Sequence, residues 1–245
     1  MGLSRRLGLA AALLGLGLST FLEVAQAADG FAVRLQALLN AGDWDGVSAL
    51  MSEGEAATWQ QRVSRFQGEF PRPRWSVRLA EPGVDGRRLL QVEVRGEAAV
   101  EGLRYRLEAS QSLQVRLEDG RLIEQQLMNE QSLLRSGDTP LPVTLAIPDQ
   151  VLTGSRYDVE VIVDQPLGHA VVAGGLLPLT PEQVRDQVRP SLPLAPLGGG
   201  GLFKSVQAPQ RPGVQTWAVM LVHPDGLVTA TKRVRIVNAM PAGTI

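Results

Sequence analysis

The feature that most constrains the fold is an alternation of apolar and polar residues from Leu103 to Leu117, interrupted at Gln111. Side chains on a β-strand point alternately to the two faces of a sheet, so the pattern predicts one unusually long strand. Because sheets twist, a strand of this length is expected to bend. The side predicted to be buried carries Leu103, Tyr105, Leu107, Ala109, Gln111, Leu113, Val115 and Leu117.

A hairpin is predicted after this strand, because Glu118-Asp119-Gly120-Arg121 is a turn signal and residues 122–134 can return antiparallel. The register has two interpretations. A two-residue loop would bury Gln126, Met128 and Leu134, whereas a three-residue loop with Gly120 as a bulge would bury Ile123, Gln125, Leu127 and Leu133. We favour the second, since it buries more branched apolar side chains.

Three amphipathic helices are predicted before the strands, at residues 31–39, 44–51 and about 55–70. Gly42 ends the first helix, Asp43 caps the second, and Pro71 ends the third. The apolar period then changes from that of a helix to that of a strand, which predicts a strand pair at residues 75–79 and 90–94.

The order of these elements, with Gly42-Asp43-Trp44 at a helix junction, resembles the cone-shaped nuclear transport factor 2-like superfamily over residues 28–135. The resemblance implies an α+β domain in which N-terminal helices pack on a curved antiparallel sheet. The superfamily includes ketosteroid isomerase-like and dehydratase-like enzymes, and also ligand-binding, dimerising and accessory domains. The fold therefore sets no function.

Residues 136–142 interrupt both periodicities with turn formers and two prolines, which predicts a linker. Short strands follow, and the clearest pair, at 215–223 and 227–237, is joined by Pro224-Asp225-Gly226. The spacing resembles immunoglobulin-like or fibronectin-like sandwiches, without the Cys…Trp…Cys signature. We therefore expect an all-β immunoglobulin-like sandwich at 143–238 and a flexible tail at 239–245.

Two glycine-rich stretches in this half are expected to be loops. Gly174-Gly175 predicts a bulge or turn ahead of an apolar loop at 176–179. The stretch Gly198–Ser205 comes within one residue of a phosphate-binding P-loop. Phe203, however, occupies a position that needs glycine, and Pro209 follows where a helix should begin. An inter-strand loop is therefore expected, and no nucleotide site.

Residues 1–27 have the three parts of an export signal. Arg5 and Arg6 supply the charge, the apolar stretch is too short and glycine-rich to span a bilayer, and Ala25-Gln26-Ala27 fits the cleavage pattern. Residues 4–9 partly match a twin-arginine signal, but Gly8 replaces the usual Phe, so unfolded export is favoured. The mature protein is expected in the periplasm or an equivalent extracytoplasmic compartment, without membrane insertion.

Composition excludes several kinds of chemistry. The chain has no cysteine, which removes disulfides, thiol nucleophiles and thiolate metal sites. Its net charge of −1 gives no electrostatic reason to expect nucleic acid as a partner. His169 and His223 are far apart in sequence and lack a nearby carboxylate pair, so neither a metal nor another cofactor is predicted.

The candidate ligand pocket lies on the inner face of the predicted cone and comprises Trp59, Trp75, Tyr105, Gln111 and Gln125. Gln111 interrupts an apolar face, so its amide needs backbone, a tryptophan, water or a ligand as a partner. No carboxylate is clearly inward, since Glu108 shares the outward parity with Arg104 and Arg106. No catalytic residue is therefore assigned, although a bulge in the long strand would bring Glu108 inward.

Two functions from different classes fit these residues. We favour a non-enzymatic exported binding or adaptor protein, whose first domain dimerises or holds a small apolar ligand while the sandwich contacts another protein. The alternative is an isomerase, dehydratase or hydrolase that acts on a small apolar molecule in the cone cavity. A homodimer is permitted by the charged outer face of the first sheet, which carries Glu93, Arg104, Arg106, Glu108 and Arg116.

The export signal predicts the N-terminus of the mature protein. When the full chain is expressed in a bacterium with an intact export pathway, N-terminal sequencing should begin at Ala28. Ala27→Asp should leave the precursor uncleaved, because the exit site takes small residues. Asp29→Ala is the matched control and should be processed normally. A wild-type protein that keeps Met1 would contradict the assignment.

Overall fold

The structure is a computed structural model that describes residues 30–137, 141–165, 170, 172–186 and 190–240. The predicted export signal and the end of the predicted tail lie outside these residues. Four helices are described: α1 at residues 30–41, α2 at Trp44–Ala49, α3 at Glu53–Glu69 and α4 at Pro181–Arg185.

Twelve strands are present in the described residues. They are β1 Arg74–Leu79, β2 Arg88–Val100, β3 Leu103–Glu118, β4 Arg121–Ser136, β5 Val143–Ala146, β6 Gln150–Leu152, β7 Arg156–Val163, β8 Ala173–Leu179, β9 Ala195–Pro196, β10 Gly201–Gln207, β11 Gly213–His223 and β12 Gly226–Val237.

The first three helices begin and end within two residues of the predicted positions. Gly42 has a φ of +69°, a conformation that glycine adopts without strain, and it follows the end of α1. The Asp43 carboxylate accepts a hydrogen bond from the Gly46 amide at 2.9 Å and caps α2. Helix α3 ends at Glu69, with Phe70 as its C-cap, directly before the prolines.

Helix α1 also covers the free edge of β1. The Asn40 and Gln36 side-chain oxygens accept hydrogen bonds from the backbone amides of Trp75 and Val77, both at 2.9 Å. The Asn40 side-chain amide donates to the Trp75 carbonyl at 2.9 Å. The two helix side chains, one turn apart, therefore take the place of a neighbouring strand.

One sheet runs through both halves of the chain. Its main order is β1-β2-β3-β4-β12-β11-β8-β9, and β6 pairs with β12 outside this order. The halves join where β4 pairs antiparallel with β12, in register from Arg135↔Val228 to Gln131↔Lys232. A second sheet has the order β10-β7-β5. The linker predicted at 136–142 therefore divides the chain but not the large sheet.

The helices and the small sheet pack on opposite faces of the large sheet. Leu113 and Val115 of β3 belong to the core beneath the helices. Leu133 of β4 pairs with Glu108, which is on the opposite parity of β3, and it packs on the other core. That second core also contains Val161 and Val219, from the small sheet and the large sheet respectively.

The prediction of a helical cone followed by a separate sandwich is wrong. Strands account for 54% and helices for 19% of the structure, and the helices are short. Periodicity identified the strand segments but carried no information about which of them pair. Because β12 pairs with the end of β4, from Gln131 to Arg135, the first sheet continues into the second half instead of closing around the helices. The packing of two sheets in the second half is compatible with a β-sandwich.

The β3–β4 hairpin has the two-residue loop of the interpretation that we did not favour, but β-bulges make its facing differ from both predicted registers. Glu118 pairs with Arg121, so the loop has two residues, Asp119 and Gly120, both with positive φ. Register shifts then leave Ile123 and Met128 without partners, as β-bulges in β4. The bulges place Leu122, Gln125 and Leu127 on the helix side, and Leu133 on the opposite face. Of the residues predicted inward, Gln125 and Leu127 are correct, and Ile123 and Leu133 are wrong.

Both glycine-rich loops are in fact strands, at least in part. Gly174 and Gly175 lie within β8, in register with Leu221 and Met220. A Cβ at Gly175 would come within 2.4 Å of the Pro193 carbonyl oxygen, so glycine serves close packing here instead of a turn. Residues from Gly201 onward form β10, which confirms that no helix follows the glycine run.

Close backbone contact at the join between the halves requires two glycines. A Cβ at Gly226 would lie 2.1 Å from the Ser136 carbonyl oxygen, and one at Gly137 would lie 2.0 Å from that of Asp225. The Ser136 hydroxyl also accepts a hydrogen bond from the Leu227 amide at 3.0 Å. The β11–β12 turn is thereby fitted against the end of β4.

We predict that Gly226→Ala destabilises the protein by about 2 kcal/mol or more, because the backbone must move away from Ser136. Gly213→Ala is the matched control, since a Cβ there meets nothing within 4 Å and the residue is not at the join. Urea denaturation of the full chain measures the difference. Equal free energies of unfolding for the two variants would show that the join is not tightly packed.

Candidate functional site

Gln125 links helix α3 to the sheet. Its side-chain oxygen accepts a hydrogen bond from the Trp59 indole nitrogen at 2.9 Å, and its side-chain nitrogen donates to the Glu55 carboxylate at 2.5 Å. Trp59 is 5% exposed. Two of the five predicted pocket residues are therefore hydrogen-bonded to each other, and their polar atoms hold the helix on the sheet.

Gln111 is paired with a carboxylate that the sequence interpretation missed. It lies directly opposite Glu130 in the β3–β4 ladder, and its side-chain nitrogen donates to the Glu130 carboxylate at 2.5 Å. The bulge at Met128 reverses the parity of β4 and brings Glu130 onto this face. Glu108, the acid considered from sequence, stays on the opposite face and pairs with Arg135 at 3.0 Å. The one feature of the sequence that could have indicated this bulge is the loss of apolar–polar alternation at residues 128–132.

Trp75 belongs to an aromatic cluster at the end of α3. Its ring meets Phe66 edge-on at 5.7 Å, and Phe66 stacks on Phe70 at 5.2 Å. Phe70 in turn lies over Gly96, where a Cβ would be 2.8 Å from its ring. The Trp75 indole nitrogen is buried and has no hydrogen-bond partner among the described residues. The role of Trp75 that these contacts show is to pack against the end of helix α3.

Tyr105 lies apart from the other four residues. It pairs with Ala98 and Ser136 near the far end of β3. Six residues separate it from Gln111 on the same strand, which corresponds to about 20 Å. The structure thus brings together Trp59 with Gln125, and Gln111 with Glu130, but it does not bring all five predicted residues into one pocket.

A second chain of buried polar groups lies between the two sheets. The Trp217 indole nitrogen donates to the Tyr157 hydroxyl at 3.1 Å, and that hydroxyl donates to the Gln215 side-chain oxygen at 2.6 Å. Burial raises the pKa of Tyr157, and the hydrogen bond from Trp217 partly opposes the rise. Tyr157 is therefore a neutral donor at physiological pH and fixes the orientation of Trp217.

The predicted dimer face is occupied largely by ion pairs within the chain. Glu93 pairs with Arg78 at 3.4 Å, and Arg116 pairs with Glu118 at 2.5 Å and Glu124 at 3.2 Å. These side chains already form ion pairs within the chain, so they do not need a second copy of the protein to neutralise their charges. The homodimer stays a prediction.

The described residues contain no group of three His, Asp or Glu side chains placed to hold a metal ion. The His223 Nδ1 atom accepts a hydrogen bond from the Asp225 amide at 3.1 Å, within the β11–β12 turn. His169 lies outside the described residues.

Among the residues that the structure describes, no helix has the length and apolar character needed to cross a membrane.

We predict that Gln125→Leu lowers the free energy of unfolding by about 1–3 kcal/mol, because the buried Trp59 N–H loses its acceptor. Gln126→Leu, at the exposed neighbouring position, is the matched control and should have little effect. Thermal and urea unfolding, followed by tryptophan fluorescence, compare the two. If Gln125→Leu were as stable as the control, the hydrogen bond to Trp59 would not support the fold.

Comparison with known proteins gives matches but no assigned activity. Residues 138–237 match a family model described as a domain of unknown function (DUF8623). No curated protein matches the chain. Among solved structures, the chain is similar to the crystal structure of red sea bream transglutaminase, with 12% identity and a TM-score of 0.26. That match covers 77% of this chain and 34% of the transglutaminase chain, so this chain spans about a third of that protein's length. A likeness this weak carries no argument.

Proposed function

We propose that this is a non-enzymatic exported binding or adaptor protein, in which the first half stabilises a rigid frame and the second half contacts another protein. The observation that carries the proposal is the hydrogen bonding of the two glutamines. Gln125 is used between Trp59 and Glu55, and Gln111 is bound to Glu130. Polar groups that satisfy one another inside the frame support a structural role for the candidate pocket.

The continuous sheet supports the proposed binding role, because it holds a contact surface on one half in a fixed position relative to the other half. Because β4 and β12 share a ladder, an element held by one half has a fixed position relative to the other. In the second half, strand β10 carries Phe203, which is 65% exposed. An exposed aromatic side chain on a strand suits contact with another protein.

A second candidate function rests on the position of Glu130. This half-buried carboxylate accepts a hydrogen bond from the Gln111 amide on the face that also carries the helices. A carboxylate held in this way can act as a general base in an isomerase or hydrolase. Tyr105 is too distant to assist it, so such chemistry would depend on Glu130 and Gln111. We place this alternative second, because the donor that the described residues show against Glu130 is the neutral Gln111 amide.

The test is native mass spectrometry of the protein purified from its own host. A co-purifying protein at fixed stoichiometry is the expected result. A small molecule present once per chain, lost in Glu130→Gln and retained in the exposed control Glu97→Gln, would favour the enzyme. A bare chain in every preparation would contradict the binding proposal.

A further inference from the structure

The edges of the two sheets differ in how they are protected. Helix α1 covers β1 with its side-chain amides, β9 has two residues and includes Pro196, and β5 has four residues and directly follows Pro142. Strand β10, in contrast, is a seven-residue edge that pairs only with β7 in the described structure. An edge of this length with unpaired backbone groups is a natural template for another strand.

The backbone of β10 directs specific groups outward. The Val163 amide donates to the Gly200 carbonyl at 2.7 Å, and the Ala208 amide donates to the Ser155 carbonyl at 2.8 Å. In an antiparallel ladder such bonds recur at every second residue, so the even-numbered residues of β10 bond to β7. Phe203 and Ser205 therefore point their N–H and C=O groups away from β7, and these have no backbone partner among the described residues.

The side chains next to these backbone groups determine which kind of strand could pair with the outer edge of β10. Phe203 is 65% exposed on the outer face, and Ser205 next to it on that face is small. Directly across on β7 are Glu160 opposite Phe203 and Asp158 opposite Ser205. A long basic side chain that crosses Ser205 would reach Asp158, and an apolar one would cover Phe203. The outer face thus favours a cationic segment with an apolar residue.

The inner face of β10 argues against a second copy as the occupant. Leu202 and Val206 pack into the cores, whereas Lys204 between them places its ammonium group 5.6 Å from the centre of the Trp217 ring. An antiparallel pair of β10 strands in which Phe203 of one copy pairs with Ser205 of the other would set Lys204 opposite Lys204. Like charges directly opposite are destabilising, and an inward lysine on an edge strand discourages addition of a purely apolar strand.

We propose that β10 is a docking edge, at which an extended segment of a different protein adds as a fourth strand of the small sheet. The segment carries basic and apolar residues on the outer face and an acidic residue opposite Lys204. Backbone hydrogen bonds to Phe203 and Ser205 supply affinity, and the flanking charges supply specificity. This inference rests on the proposed binding function and identifies the chemistry of its partner.

The test uses a synthetic peptide, Lys-Thr-Arg-Glu-Val-Thr-Lys with blocked ends, which places Arg and Val on one face and Glu on the other. It is titrated into the isotope-labelled full chain and followed by NMR. We expect saturable shifts centred on β10, and amide exchange at Phe203 and Ser205 that is fast in the free protein and at least tenfold slower when bound.

Two test variants, one control variant and one altered peptide make the result specific. Ser205→Pro removes an outward N–H without removing a bond to β7, so binding should weaken at least about tenfold. Asp158→Asn should weaken binding, whereas Glu97→Gln, an exposed acid in the first half, should not. The same peptide with N-methyl groups on Arg and Val should fail to bind the wild-type chain, which keeps the test valid even if Ser205→Pro folds poorly.

Absence of binding to the wild-type chain would overturn the proposal, as would equal binding of the N-methylated peptide. Slow exchange at Phe203 and Ser205 in the free monomer would show that the edge is already covered and would also overturn it. A partner protein that stays bound to Ser205→Pro would refute the docking edge but leave the adaptor function intact. If the peptide binds but no partner protein is found in the host, the docking edge would be supported and the adaptor function would be contradicted.

Discussion

The pairing of β4 with β12 is the interaction on which the rest of the structure depends. It joins strands about a hundred residues apart in sequence into one ladder. Besides the backbone bonds, the Ser132 and Thr231 hydroxyls meet at 2.7 Å. Lys232 is 5% exposed, and its ammonium group donates to Asn129 at 3.1 Å, to Gln131 at 3.3 Å and to the Asp149 carboxylate. Loss of this lysine would leave several acceptors without their donor.

The two halves share the large sheet, but they pack on its opposite faces. The helices cover one face over the first half, and the small sheet covers the opposite face over the second half. Each half therefore has its own core, while the strands between them are common to both. The candidate pocket residues are spread along this shared sheet: Trp59 and Trp75 pack in or against the core beneath the helices, whereas Tyr105 lies near the far end of β3.

Unpaired backbone groups are a second constraint that connects structure to function. At β1, Gln36 and Asn40 satisfy the edge, so that edge is closed to other strands. At β10, Phe203 and Ser205 have no backbone partner on the outer edge among the described residues, and the charged residue between them is Lys204, whose ammonium group lies near the Trp217 ring. Under the proposed binding function, the difference between these edges, more than any cluster of reactive side chains in the described residues, favours the second half as the side that meets a partner.

The sequence by itself determined the local elements: the long strand from Leu103, the cap at Asp43, and the turn at Pro224-Asp225. Their signals depend on residues a few positions apart, where period and turn chemistry act directly. Only the tertiary structure decided the pairing of β4 with β12 and the bulges at Ile123 and Met128, which turned Glu130 toward Gln111. Pairing partners and bulges depend on the fit between distant strands, and a one-residue change of register reverses every later side chain, so periodicity along one strand could not reveal them.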